Sequence, residues 1–197
     1  MNSLAELEQF WERLAAVWPH PTTVYLTGGA AALVLGGARP TRDIDFEVQF
    51  HSPRPNWEAF ASAVDAVSQA TGIGAQYAES IDRWSQVTFL DYREHTRPVR
   101  RFGQLEVRVL DLLHWSIGKI SRFYDQDAQD LIAVFKRHRP DPLKVATLWE
   151  RALRASPKST QLRPTREQAL YFFRTHGRRI WGKQFSLEAV EAVFAPA

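Results

Sequence analysis

Between Leu26 and Val48 the chain reads LTGGAAALVLGGARPTRDIDFEV, which sets a glycine pair a short way ahead of two aspartates spaced two apart. Lacking a Cβ, Gly28 and Gly29 let the backbone approach a triphosphate closely, and a helix starting there presents unpaired amides to anionic oxygens. Asp43 and Asp45 fall in a strict alternation. Asp43, Asp45, Glu47 and Gln49 share one face of a strand, and Ile44, Phe46, Val48 and Phe50 the other. At about 3.3 Å of rise per residue, the two aspartate side chains originate about 7 Å apart. A carboxylate pair of this kind can bridge magnesium ions. In two-metal phosphoryl transfer, with the ions about 3.5 to 4 Å apart, one activates the attacking oxygen and the other steadies the leaving pyrophosphate. The same acids also suit the solvent face of an amphipathic strand.

Positioning these residues requires a particular order of elements. Ser3 with Glu6 forms a capping box ahead of Leu4, Leu7, Phe10, Trp11 and Leu14 at helical spacing, so a helix is expected over 4–17, ended by Pro19 and Pro21. Val24 to Leu26 reads as a short strand, Gly28-Gly29 as a turn, and Ala30 to Leu35 as a brief buried helix closed by Gly36-Gly37. The Asp43–Phe50 strand follows. Asn56 caps a helix to about Ala70, whereas 73–79 selects neither helix nor strand. Val87–Tyr92 and Leu105–Leu110 read as an antiparallel pair joined by a basic loop with Arg93, Arg97, Arg100 and Arg101. Asp111 is placed to cap the helix LLHWSIGKISRF, and another helix runs from near Asp127 to just before Pro140. Three more are expected over 142–154, 164–176 and 186–194, with Gly177 stopping the middle one. The fold class is therefore α+β: a short mixed sheet flanked by helices over 1–139, and a helical region over 140–197 able to pack with it.

Composition narrows the function classes. With no cysteine among 197 residues, disulfides, thiol catalysis and cysteine-based zinc sites are excluded, and the histidines form no helical pair at zinc spacing. The N-terminus MNSLAELEQFWERL is acidic early and has no apolar core, so no secretory leader is expected and the compartment is expected to be cytoplasmic. Val24 to Ala38 is shorter than the roughly 18 apolar residues of a membrane span. The net charge of +3 and pI of 9.4 suit a phosphate-rich partner. Arginines over 93–101 and at 163, 166, 174, 178 and 179 suit either a groove for an RNA backbone or a solvated surface. Trp11, Trp57, Trp84, Trp115, Trp149 and Trp181 are mostly at core-facing helical or strand positions and are read as packing residues.

The glycine pair followed by an Asp-x-Asp strand resembles the DNA polymerase beta-like nucleotidyltransferase superfamily. Within it, Gly28, Gly29, Arg39, Thr41, Asp43 and Asp45 look most similar to bacterial AbiEii-like and related nucleotidyltransferases, toxins of toxin–antitoxin pairs among them. Those families also carry Lys-Leu-x-Arg on one helix and then a basic residue with Asp-x-x-Asp on the next. Here the matching residues are Lys119-Ile120-Ser121-Arg122 and Gln129-Asp130-Leu131-Ile132, with Gln129 in place of the base and the second acid absent. The resemblance implies the nucleotidyltransferase fold and magnesium-dependent transfer of an NMP from an NTP to a hydroxyl. Gly28, Gly29, Arg39 and Thr41 would surround the nucleotide, and Asp43 and Asp45 would hold the metal. Lys119 would meet phosphate, with Asp130 orienting it or the acceptor. A third carboxylate, ligand or base, is assigned to Asp91, with Glu106 and Glu47 as alternatives. The implied acceptor is RNA, such as a tRNA 3′ end, or an aminoglycoside in relatives of the antibiotic nucleotidyltransferases. A different class is a catalytically silent module acting with a partner protein, such as a cognate antitoxin encoded nearby.

Overall fold

The computed structural model describes every residue except 2, 38, 55, 196 and 197, the last two being the end of the region expected over 140–197. The chain divides into two compact units that interleave in sequence: Met1–Ile81 with Arg93–Asp111, and Asp82–Tyr92 with Leu112–Ala197.

The first unit is α+β. Its five strands are β1 (Thr22–Thr27), β2 (Asp43–Phe50), β3 (Gly74–Ala78), β4 (Thr96–Phe102) and β5 (Leu105–Leu110), in the order β3-β2-β1-β5-β4. The sheet is mixed. β1 runs antiparallel to β2 and parallel to β5, β2 is parallel to β3, and β4 closes an antiparallel edge on β5. Every residue of the central β1 is buried, which explains why TTVYLT shows no alternation. Helix α1 (Leu4–Val17) starts on the expected capping box, with Glu6 N donating to Ser3 Oγ at 3.2 Å and Ser3 N to Glu6 Oε2 at 3.0 Å. Its Trp11 meets Phe46 of β2 edge-on, ring centroids 5.1 Å apart. Helix α2 (Gly28–Val34) takes in the glycine pair as its first two residues, and α3 (Trp57–Thr71) is capped by Asn56 and ended by Gly72.

Two strand expectations are corrected. Val87–Tyr92 is not a strand: Leu90 has φ +54°, the Thr88 amide donates to Ser156 Oγ and the Phe89 amide to Asp82 Oδ1, both at 2.9 Å. Side chains thus take the donors a ladder would need. The partner of β5 is instead the arginine-rich segment expected as a loop, turning through Gly103 (φ +55°). β4 carries Pro98 and a register shift between Pro98 and Arg100, devices that fit an edge strand and hide it from a pattern search.

The second unit is helical apart from Asp82–Tyr92. It contains α4 (Leu112–Arg122), α5 (Asp125–His138), α6 (Pro142–Ala155), α7 (Leu162–Trp181) and α8 (Leu187–Val193). Its core is aromatic: Trp149 packs on Phe173 at 5.2 Å and on Phe172 at 5.7 Å, while its indole donates to Ser116 Oγ at 2.8 Å. Gly177 does not stop α7. It is buried inside the helix because a Cβ there would overlap the ring of Phe185, and the stop comes at Gly182, φ +79°. Gly177→Ala should gain about 0.5–1 kcal/mol from helix entropy and lose about 1–3 kcal/mol from overpacking. The urea midpoint should fall. An unchanged midpoint would mean that Phe185 yields without cost.

Candidate active site

β1 ends at Thr27, which lies opposite Asp45 in the antiparallel register. β2 runs two residues further, so Asp43 lies past the end of β1 and pairs instead with Gly74 of β3. Both aspartates therefore border the start of α2. Gly28 holds φ +62°, and a Cβ on it would fall onto the Asp45 carboxylate, so glycine is required there twice over. A Cβ on Gly29 would come within 2.5 Å of Thr41 Oγ1, with the Arg39 guanidinium at 3.7 Å. The buried Thr41 hydroxyl in turn donates to the main-chain oxygen of Asp43 at 3.1 Å, with Asp43 Oδ1 at 3.3 Å, and Gln76 Nε2 donates to Asp43 Oδ2 at 3.1 Å. The structure thus gathers Gly28, Gly29, Arg39, Thr41, Asp43 and Asp45 into one cluster. With only seven residues in α2, anion recognition here would rest on individual amides and Arg39 rather than on a long helix dipole.

The rest of that sheet face is polar but committed. Glu47, expected on an open face, is 0% exposed; it accepts from Arg93 Nε at 2.6 Å and from the Ile81 amide at 3.1 Å. Beside it, burial first and the Glu47 charge second push the Tyr25 hydroxyl above its ordinary range, and that hydroxyl donates to Gln49 Oε1 at 2.6 Å. Glu106 pairs with Arg108 at 2.8 Å and Arg101 at 3.0 Å, and these hydrogen bonds hold its carboxyl below the usual 4.5. A depressed folded value means stabilisation that is present above the unfolded pKa and lost as pH falls through the folded one. Glu106→Gln should therefore cost less than about 1 kcal/mol at neutral pH, given solvent screening, and progressively less as the pH falls into the acid range. Urea midpoints that stay equally far apart at neutral and acid pH would sink this assignment.

Glu106, the alternative third carboxylate on β5, pairs in register with Thr23, four residues before Thr27. The parallel register pairs Leu26 with Val109, and one step further sets the buried Leu110 beside Thr27. Asp91 lacks its expected strand; it is exposed in a turn of the second unit.

Lys119 and Asp130 do meet, within the second unit. Lys119 Nζ donates to Asp130 Oδ2 at 2.7 Å and to Asp127 Oδ1 at 3.0 Å, with all three side chains at most 3% exposed. Arg122 adds a 3.0 Å bond to Asp127, so two cations face two carboxylates. Asp127 is the residue that sequence reasoning missed. Its carboxylate joins Asp130 on Lys119, and the three-residue spacing on one helix face was the signal for it.

No family model, curated protein or solved structure matches this chain. The site is accordingly read from its geometry. No helix among the described residues is long and apolar enough to cross a membrane.

Proposed function

We propose that the first unit is a nucleotidyltransferase domain of the polymerase beta-like type. It binds an NTP with magnesium and moves the NMP to a hydroxyl acceptor, with an RNA end as acceptor in the manner of AbiEii-like toxins. One observation carries the reading: the Asp45 carboxylate rests on Gly28, while Thr41 ties Asp43 to the surface of Gly29. A bare turn of backbone and two carboxylates are thereby placed side by side.

The donor set fits magnesium, which favours hard carboxylate oxygens and keeps part of its water shell for substrate phosphates. Asp43 and Asp45 would hold it, and when bound it would supply charge neutralisation at the transferring phosphoryl group. Gly28 and Gly29 admit the phosphates to the backbone. Arg39, beside Gly29, offers a guanidinium to phosphate oxygens, and Thr41 and Gln76 fix the Asp43 carboxylate. Lys119 and Asp130 are not needed for binding in this reading, because Lys119 is already neutralised within its own unit.

A second reading is favoured by Leu110 and by the committed Glu47 and Glu106: a nucleotide-binding module that is catalytically silent and acts with a partner protein. Incubating the protein with magnesium, each labelled NTP, and total tRNA or an aminoglycoside separates the two. Asp43→Ala, Asp45→Ala runs alongside. Label incorporated by the parent alone supports the transferase, and the productive arm names the acceptor. NTP binding without incorporation supports the silent module. If magnesium promotes no NTP binding, the nucleotide site itself is lost.

A further inference from the structure

The two units differ in charge. The first holds 9 basic and 12 acidic side chains, net −3, and the second 16 basic and 10 acidic, net +6, so the whole positive excess lies in the second. Most arginines that suited an RNA groove are spoken for. In the first unit Arg93 pairs with Glu47, Arg100 with Glu8 and Arg101 with Glu106, and Arg97 donates to the Val34 carbonyl. In the second, Arg163, Arg166 and Arg174 pair with Glu167, Glu150 and Glu191.

A different set remains. Lys136 and Arg137 lie in the last turn of α5 with Arg139 just past it, and Arg178 and Arg179 lie in the last turn of α7 with Lys183 just past it; all six are exposed, and none makes an ion pair among the described residues. The fold joins these two helix ends, because Trp181 Nε1 donates to the Pro140 carbonyl at 2.6 Å and the Trp181 ring lies 5.8 Å from Phe135. After α7 the chain reverses at Gly182, whose amide donates to the Arg178 carbonyl, and Phe185 is pinned against Gly177. Lys183 is thereby returned beside Arg178, and the two line a cleft of about 450 Å³ with Gly182.

The plain explanation for basic residues here is the helix dipole. Two C-termini carry about half an elementary charge each, about −1 together, against six cations. The two dipoles offset only a small part of that charge. Four of the six are arginines, whose planar fork matches phosphate oxygens bidentately.

We propose that this cleft and the two helix ends bind the phosphate backbone of a nucleic acid. The inference does not use the aspartate cluster of the first unit. Contact with backbone phosphates gives affinity without base selectivity and a steep salt dependence.

The test is fluorescence anisotropy with a labelled single-stranded RNA of about 20 nucleotides and the DNA of the same sequence, across roughly 50 to 200 mM salt. About four phosphate contacts on a single strand predict an affinity loss of about fiftyfold over that range. Arg178→Gln with Lys183→Gln should reduce the log–log slope by about 1.4, while Lys158→Gln, an exposed cation elsewhere in the unit, should leave it unchanged. Binding of both polymers supports a backbone site, and binding of RNA alone supports one that also reads the 2′-hydroxyl. The proposal is overturned if neither polymer binds, if the double variant keeps the parent slope, or if polyglutamate competes as well as RNA. The Asp43→Ala, Asp45→Ala protein should bind RNA like the parent, so a failed transferase reading and a failed cleft give different results.

Discussion

Replacing Asp43 and Asp45 together by alanine is expected to lower magnesium-dependent NMP incorporation by three orders of magnitude or more while leaving the fold intact. A thousandfold loss corresponds to about 4 kcal/mol of transition-state stabilisation, within what a bound divalent ion supplies to phosphoryl transfer. The structural cost should be small. Thr41 Oγ1 keeps the Asp43 main-chain oxygen as its acceptor, and neither aspartate is fully buried. Urea unfolding should therefore shift by no more than about 1 kcal/mol. Asp45→Asn sharpens the test by keeping the shape and removing the charge. If that variant retains parental incorporation, the carboxylate pair is not holding a metal.

Lys119→Met should be the most damaging single change to stability, costing about 3–5 kcal/mol. Asp127 and Asp130 are 3% and 2% exposed, so their charges stay buried when the ammonium that faces both is removed. Arg122 and the Tyr124 amide still reach Asp127, but both carboxylates lose the ammonium that neutralises them. Adding Asp127→Asn and Asp130→Asn to Lys119→Met should recover most of the loss, since exchanging a whole buried charge cluster is far cheaper than breaking it. Guanidinium titrations of both variants decide the matter. A triple variant no better than the single one would show that lysine packing over Trp115, 5.8 Å from its ring, matters more than charge.

Local signals carried much of the architecture. The Ser3 and Glu6 box, the Asn56 cap and the alternation from Asp43 to Phe50 are written within a few residues each, and those elements stand where they were expected. So does the Gly-Gly and Asp-x-Asp cluster, because one antiparallel pairing of neighbouring strands assembles it. Features set by distant partners were not legible. VTFLDY has the composition of a strand, yet its donors go to Asp82 and Ser156. Glu47 alternates with the solvent-facing residues, yet Arg93, far along the chain, buries it. Gly177 has the type of a helix stop, and only Phe185 shows why it is not one. That Leu110 stands beside Thr27 depends on a parallel register that nothing near Thr27 announces.

The interleaving of the two units bears on how the chain is made. Synthesis completes the five-stranded sheet only when β5 ends at Leu110, so β1 and β2 must wait for a neighbour from the far side of Asp82–Tyr92. That intervening stretch waits longer. Val87, Phe89 and Tyr92 are buried in the finished protein, Phe89 against Gly118 and the Thr88 amide on Ser156, partners that lie further along the chain. For the time taken to add some 65 residues, a few seconds at typical rates, an apolar hexapeptide has no shelter of its own. Truncation after Asp111 would make that condition permanent, and the first unit can be isolated cleanly only by also replacing 82–92 with a polar linker.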